Sequence, residues 1–242
     1  MIAGFIITGN SNKAVVLRGL GPSLSSFGIS GLLLDPVLEL HAPDRSLITM
    51  NDNWKDSPQR SQIEGTVFQP TDDRESVILA TLTPANYTAI LTGKANTTGV
   101  GLVEVYDNNQ GVDSQLGNIS TRGFVQGGNN VMIGGFILGG NTNNTRIAIR
   151  GIGPSLSQFG LNNVLADPTL ELHNANGTTL IVNDNWTDDA TSAALLTANG
   201  LALKDPKESG IFTSLPAGQF TAILAGKNGG VGIGLVEIYN LK

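Results

Sequence analysis

The chain contains the same unit twice, and that duplication restricts its fold more than any other feature. Met1-Ile2-Ala3-Gly4-Phe5-Ile6-Ile7 returns as Met132-Ile133-Gly134-Gly135-Phe136-Ile137-Leu138. Arg18-Gly19-Leu20-Gly21-Pro22-Ser23-Leu24-Ser25 returns as Arg150-Gly151-Ile152-Gly153-Pro154-Ser155-Leu156-Ser157. Asp35-Pro36 and Leu38-Glu39-Leu40-His41 match Asp167-Pro168 and Leu170-Glu171-Leu172-His173. Asn51-Asp52-Asn53-Trp54 matches Asn183-Asp184-Asn185-Trp186, and Gly101-Leu102-Val103-Glu104-Val105-Tyr106 matches Gly234-Leu235-Val236-Glu237-Ile238-Tyr239. Each copy must therefore fold in the same way, within roughly 105 residues.

Short β-branched runs separated by Gly, Pro, Asn and Asp clusters predict strands at 5–8, 14–17, 37–41, 46–49, 76–82, 87–92 and 101–106. Seven short strands per unit is the arithmetic of a sandwich. The expected fold is all-β, with two tandem jelly-roll-like β-sandwich repeats. Each repeat should carry one short helix after its tryptophan, capped by Asp56 or Ser57 in the first copy and Asp188 or Asp189 in the second. Domain boundaries are expected at 1–110 and 111–242.

Residues 118–126 read as a further strand leading the second copy, followed by a Gly127-Gly128-Asn129-Asn130 turn suited to positive φ. Met1 aligns with the internal Met132, beyond that leading strand. The first copy is thus expected to lack its leading strand, and the chain reads as a fragment cut at a repeat boundary. Its apolar N-terminus has neither the basic region nor the cleavage pattern of a signal peptide.

Composition narrows the function classes. Of 242 residues 14% are charged, the net charge is −6, and only 14 are Lys or Arg, which argues against a nucleic-acid partner. No apolar run is long enough to span a membrane as a helix. With no cysteine there are no disulfides, thiolate metal sites or cysteine nucleophiles. Many Asn and Thr, few Lys and an acidic balance suit a secreted or surface-exposed bacterial protein.

Candidate chemistry is sparse. Gly19-x-Gly21-Pro22-Ser23 superficially resembles a phosphate loop, but no helix follows it, and a tight turn is expected. The two histidines, His41 and His173, occupy equivalent positions beside Glu39 and Glu171 on alternating strands. Without a nucleophile at a recognisable spacing they read as structural. Arg18 and Arg150 interrupt apolar strands and require carboxylate partners: Glu39 or Glu104 for Arg18, with Glu171 and Glu237 as their counterparts. The Asn-Asp-Asn-Trp loops offer oxygen ligands for calcium at Asp52, Asp56, Asp184 and Asp188. The competing reading is that their Asn and Asp side chains hold their own backbone. Trp54 and Trp186, if exposed, would offer rings for stacking on a sugar.

The motifs Arg-Gly-x-Gly-Pro-Ser-Leu, Asp-Pro-x-Leu-Glu-Leu-His, Asn-Asp-Asn-Trp and Gly-x-Gly-Leu-Val-Glu-x-Tyr together resemble an uncharacterised tandem repeat of large secreted proteins of environmental bacteria. More distantly, Leu38-Glu39-Leu40-His41, the Asn-Asp-Asn turn and Tyr87-Thr88-Ala89-Ile90 are similar to the bacterial pre-peptidase C-terminal sandwich. Both resemblances imply an extracellular, non-enzymatic accessory module and contribute no catalytic residues. The expected function is a structural or adhesive repeat of a bacterial surface or secreted protein. It would need no cofactor and would associate with other copies of itself or neighbouring repeats by strand addition into a filament. The alternative is an accessory module binding surface glycans or calcium.

Overall fold

The computed structural model describes residues 1–128, 130–139 and 144–241. The chain divides into two compact units, Met1–Gly117 and Asn118–Lys242. The first contains β1 (Ile2–Gly9), β2 (Lys13–Leu20), β3 (Pro36–His41), β4 (Leu47–Asn51), β5 (Ser76–Leu82), β6 (Asn86–Gly93) and β7 (Leu102–Asp107). Strand β8 (Ser114–Val125) begins in this unit and continues into the second. There follow β9 (Met132–Leu138), β10 (Thr145–Ile152), β11 (Pro168–Asn174), β12 (Thr179–Asn183), β13 (Ser209–Leu215), β14 (Gly218–Gly226) and β15 (Gly232–Leu241).

The second unit is the complete version of the fold. One layer runs β13-β10-β15-β8 and the other β12-β11-β14-β9. With β8 as the first strand, this is the two-Greek-key order of a jelly roll. All-β architecture with jelly-roll-like repeats is what the patterning predicts. Alternation places Ile147, Ile149, Val236 and Ile238 of one layer against Leu170, Leu172, Ala222 and Leu224 of the other, all buried in one core.

Among the described residues the first unit repeats this plan with one strand fewer. Its layers are β4-β3-β6-β1 and β5-β2-β7. The core between them is built from Phe5, Leu17, Leu38, Leu40, Ile78 and Ala89 with their neighbours. Residues 114–117, the start of β8, lie along the end of β1 and not beside β7: Asn10 and Ser11 donate to the Asp113 carbonyl, and Gly117 packs on Thr8. The place at β7 that β8 fills at β15 has no strand among the described residues.

A second, smaller core covers the outer face of the β5-β2-β7 layer. There Val16 and Val77 pack under Trp54 and Ile63, with Phe68 and Tyr106 at its margin. Ile63 belongs to the short helix α1 (Arg60–Ile63), and its counterpart is the longer α2 (Ala190–Ala198). Asp189 caps α2 by accepting from the amides of Thr191 and Ser192, as its position suggests. At α1 the expected cap moves: Gln59 stands at the N-cap without a side-chain bond, and Ser57 instead accepts from the Gln59 amide. In the turn after β8, Gly128 adopts φ +67 and Gln126 donates to the Asn130 carbonyl, while Asn129 lies outside the described residues. No helix among the described residues is long and apolar enough to cross a membrane.

Candidate functional site

Every motif that recurs in the sequence recurs in the structure as a set of contacts, and most of those contacts are internal. The glycine-rich loops come first. After β2 the chain turns at Gly21 into a 3-10 turn over Pro22–Phe27. The exposed donors of this turn are held by the protein's own carboxylate. Glu75, fully buried at the start of β5, accepts from the amides of Gly21 and Ser23 at 2.9 Å each and from the Ser23 hydroxyl at 2.7 Å. Glu208 does the same for Gly153 and Ser155. A loop shaped to take an anion therefore already holds one. Sequence reasoning misses both glutamates as loop partners, because 54 residues separate Glu75 from Gly21. Their signal is their recurrence before the serine that opens β5 and β13.

The arginines find one of their two expected partners. Arg18 Nε donates to Glu104 at 2.6 Å, across the β2–β7 register that places the two opposite each other. Tyr106 donates to the other oxygen of Glu104 at 2.9 Å, and Arg18 lies over the Tyr106 ring at 5.5 Å. The second copy places Arg150 Nε 3.0 Å from Glu237, without the alignment of a hydrogen bond. Burial pushes the Glu237 carboxyl up, and Arg150 partly counters it. Burial, with Glu237 beside it, pushes the Tyr239 phenol up to about 12.

Glu39 and Glu171 do not pair with these arginines, and that expectation is corrected. Strands β2 and β3 lie in different layers, so their outward side chains face opposite ways. Glu39 instead lies 2.7 Å from His41 Nε2, and Glu171 2.9 Å from His173 Nε2. The remaining ring nitrogens face the carbonyls of Arg45 and Gly177. With acceptors at both nitrogens, the His41 imidazole is arranged to donate twice, which favours imidazolium over a base. Accordingly the Glu39 hydrogen bond, then the Arg45 carbonyl, raises the His41 pKa above 6.5. A surface cleft of about 290 Å³ adjoins His173, lined with Asn174, Gln219, Thr221 and Ile223.

The Asn-Asp-Asn-Trp loops hold backbone and core. Asn51 accepts from the Val77 amide and donates to the Asn53 carbonyl, while Trp54 donates its amide to Glu75. Asn183, Asn185 and Trp186 repeat the pattern with Gly210 and Glu208. Trp54 is 1% exposed, which corrects its reading as a sugar platform, and Trp186 is half-buried against Leu196 and its neighbours. The proposed calcium ligands are dispersed. Asp52 pairs with Lys94 at 2.6 Å and Asp184 with Lys227, whereas Asp56 and Asp188 accept from Asn53 and Asn185. Among the described residues no three His, Cys, Asp or Glu side chains gather as a metal site.

What remains open is the edge of β7. Asn108 donates to the Ala14 carbonyl, so antiparallel alternation joins Tyr106, Glu104 and Leu102 to β2. The backbone groups of Val103 and Val105 then face the open side. Their side chains are only partly buried, whereas the equivalent Val236 and Ile238 are 1% and 4% exposed.

No protein-family model and no curated protein matches the sequence. Among solved structures, one chain of the Sulfolobus turreted icosahedral virus is 13% identical, with a TM-score of 0.29 over 99% of this chain and 88% of that one. A chain of the infectious bursal disease virus VP2 subviral particle is 10% identical, with a TM-score of 0.23 over 98% and 68%. Scores at that level carry no argument about function.

Proposed function

We propose that this chain is a non-catalytic structural module of a secreted or surface-exposed bacterial protein, and that it associates with further repeats of its own kind. The observation that carries this reading is the β7 edge, which pairs with no strand among the described residues, on a unit whose duplicate has that edge covered. Exposed ladders of this sort favour pairing with another strand. The recurrent polar side chains support it from the other side. Glu75, Arg18, Glu104, His41 and Asn51 each hold a neighbour within the fold, and their duplicates do likewise. The resemblance of the four repeat motifs to tandem repeats of secreted bacterial proteins supports the location.

Sedimentation velocity and electron microscopy over a wide concentration range test the association. Reversible growth from monomer to larger species is expected. A strict monomer at every concentration would overturn self-association. Catalytic turnover that is lost on changing His41 and His173 together to Gln would overturn the non-catalytic reading.

A further inference from the structure

The first unit holds a vacancy with a definite shape, and the second unit displays what fills it. In the second unit residues 118–125 pair with β15, setting Ile119 opposite Ile238, Thr121 opposite Val236, Gly123 opposite Gly234 and Val125 opposite Gly232. Val125 is fully buried and covers Gly234, where an added Cβ would come within 3.1 Å of it and 3.0 Å of Leu224, with Leu165 next. The equivalent glycine in the first unit, Gly101, faces Leu91 and Leu33, the counterparts of Leu224 and Leu165, and the Leu20 carbonyl, and no counterpart of Val125 is among these nearest neighbours. Instead a cleft of about 320 Å³ opens there, lined by Met1, Leu33, Leu91 and Gly101.

We infer that this cleft and the β7 edge form one acceptor site for an extended segment with the leading-strand pattern Ile-x-Thr-x-Gly-x-Val, delivered by another repeat unit. The segment runs antiparallel to β7. Its isoleucine lies opposite Val105, its threonine opposite Val103 and its glycine opposite Gly101, and its valine enters the cleft. Ladder hydrogen bonds supply affinity, and the inward alternate side chains supply selectivity. This rests on the self-association reading above and names the strand through which it occurs.

The test uses the full chain and a synthetic peptide of residues 118–130, followed by binding calorimetry and hydrogen exchange. The peptide is expected to bind and to protect the amides of Val103 and Val105 while leaving those of β15 unchanged. Two peptide variants cannot disturb the protein's own folding: Thr121→Pro removes a ladder donor, and Val125→Asp puts a charge in the cleft. Each should weaken binding by at least about tenfold. Absence of binding, protection confined to β15, or undiminished binding by both variants would overturn the inference. A monomeric chain whose β7 the peptide protects would overturn self-association alone. A chain that assembles with β7 still exchanging freely, and ignores the peptide, would overturn the acceptor site alone.

Discussion

Oε1 of Glu75 accepts the hydroxyl of Ser23 at 2.7 Å and the amide of the same residue at 2.9 Å. One buried oxygen thus anchors the turn after β2 to the start of β5. Removing it leaves the Gly21 and Ser23 amides and a hydroxyl without their partner in a largely buried site. Glu75→Ala should destabilise the first unit by about 2–3 kcal/mol, with Glu75→Gln costing less because one acceptor oxygen remains. In a Trp186→Phe background, Trp54 fluorescence reports urea unfolding of the first unit. An unchanged midpoint for Glu75→Ala would show that the loop holds itself.

Gly21 is required for closeness. A Cβ built there would stand 1.9 Å from the Leu33 carbonyl oxygen, and one on Gly153 would stand 2.1 Å from that of Leu165. The obstacle is backbone in both places, so no side-chain rotation relieves it. Gly21→Ala should cost about 3 kcal/mol or more in the first unit, and Gly153→Ala a similar amount in the second. A loss below about 1 kcal/mol in either, from urea curves read on Trp54 for the first unit and on Trp186 in a Trp54→Phe background for the second, would mean that the loop shifts more readily than its packing implies.

His41 links stability to pH. Its folded pKa is raised above the ordinary 6.5, first by Glu39 and then by the Arg45 carbonyl. Between the unfolded and folded values the folded state binds more protons, so stability falls as pH rises. The contribution is complete below about pH 6.5 and is lost as pH climbs through the raised folded value. Solvent screening keeps it small. Titration by NMR should place the His41 midpoint above 6.5, and Glu39→Gln should return it toward that value. A midpoint at or below 6.5 in the unmodified chain contradicts the pairing.

Much of the fold is legible in the sequence, because duplication shows each strand twice and alternation orients it. The Leu38 and Leu40 face follows from the text of the repeats, and both side chains are buried in the core. Contacts between layers were not legible. Alternation places Arg18 and Glu39 each on an outward face, but it does not say that β2 and β3 belong to different layers. Glu104 satisfied the same reasoning and happened to lie on the neighbouring strand. Trp54 misled for a related reason: it sits in a polar loop, and only the fold places that loop over the outer face of β2 and β5. The tie from Glu75 to the Gly21 turn was not legible, because a carboxylate binding backbone amides 54 residues away leaves no local pattern.

The duplication also designs its own control for the most unusual charge in the first unit. Lys13 is fully buried, with Nζ 2.9 Å from Asp107 and 2.7 Å from the Asn109 carbonyl. Breaking a buried pair at one end leaves an uncompensated charge, so Asp107→Ala should cost about 3–5 kcal/mol. The second unit carries neutral Thr145 and Asn240 at the corresponding positions, since Ile147 pairs with Asn240 as Val15 pairs with Asp107. Exchanging both residues for those types removes the charges together, and Lys13→Thr with Asp107→Asn should be far milder than Asp107→Ala alone. The double-mutant cycle through Lys13→Thr and Asp107→Asn should therefore return a favourable coupling of about 1–3 kcal/mol between Lys13 and Asp107. Additive effects would mean that Lys13 reaches water once Asp107 is gone, with the Asn109 carbonyl as its remaining tether. Because Asp107 ends the β7 edge, the neutral pair also asks whether a charge there matters to strand addition, and peptide binding should survive the exchange.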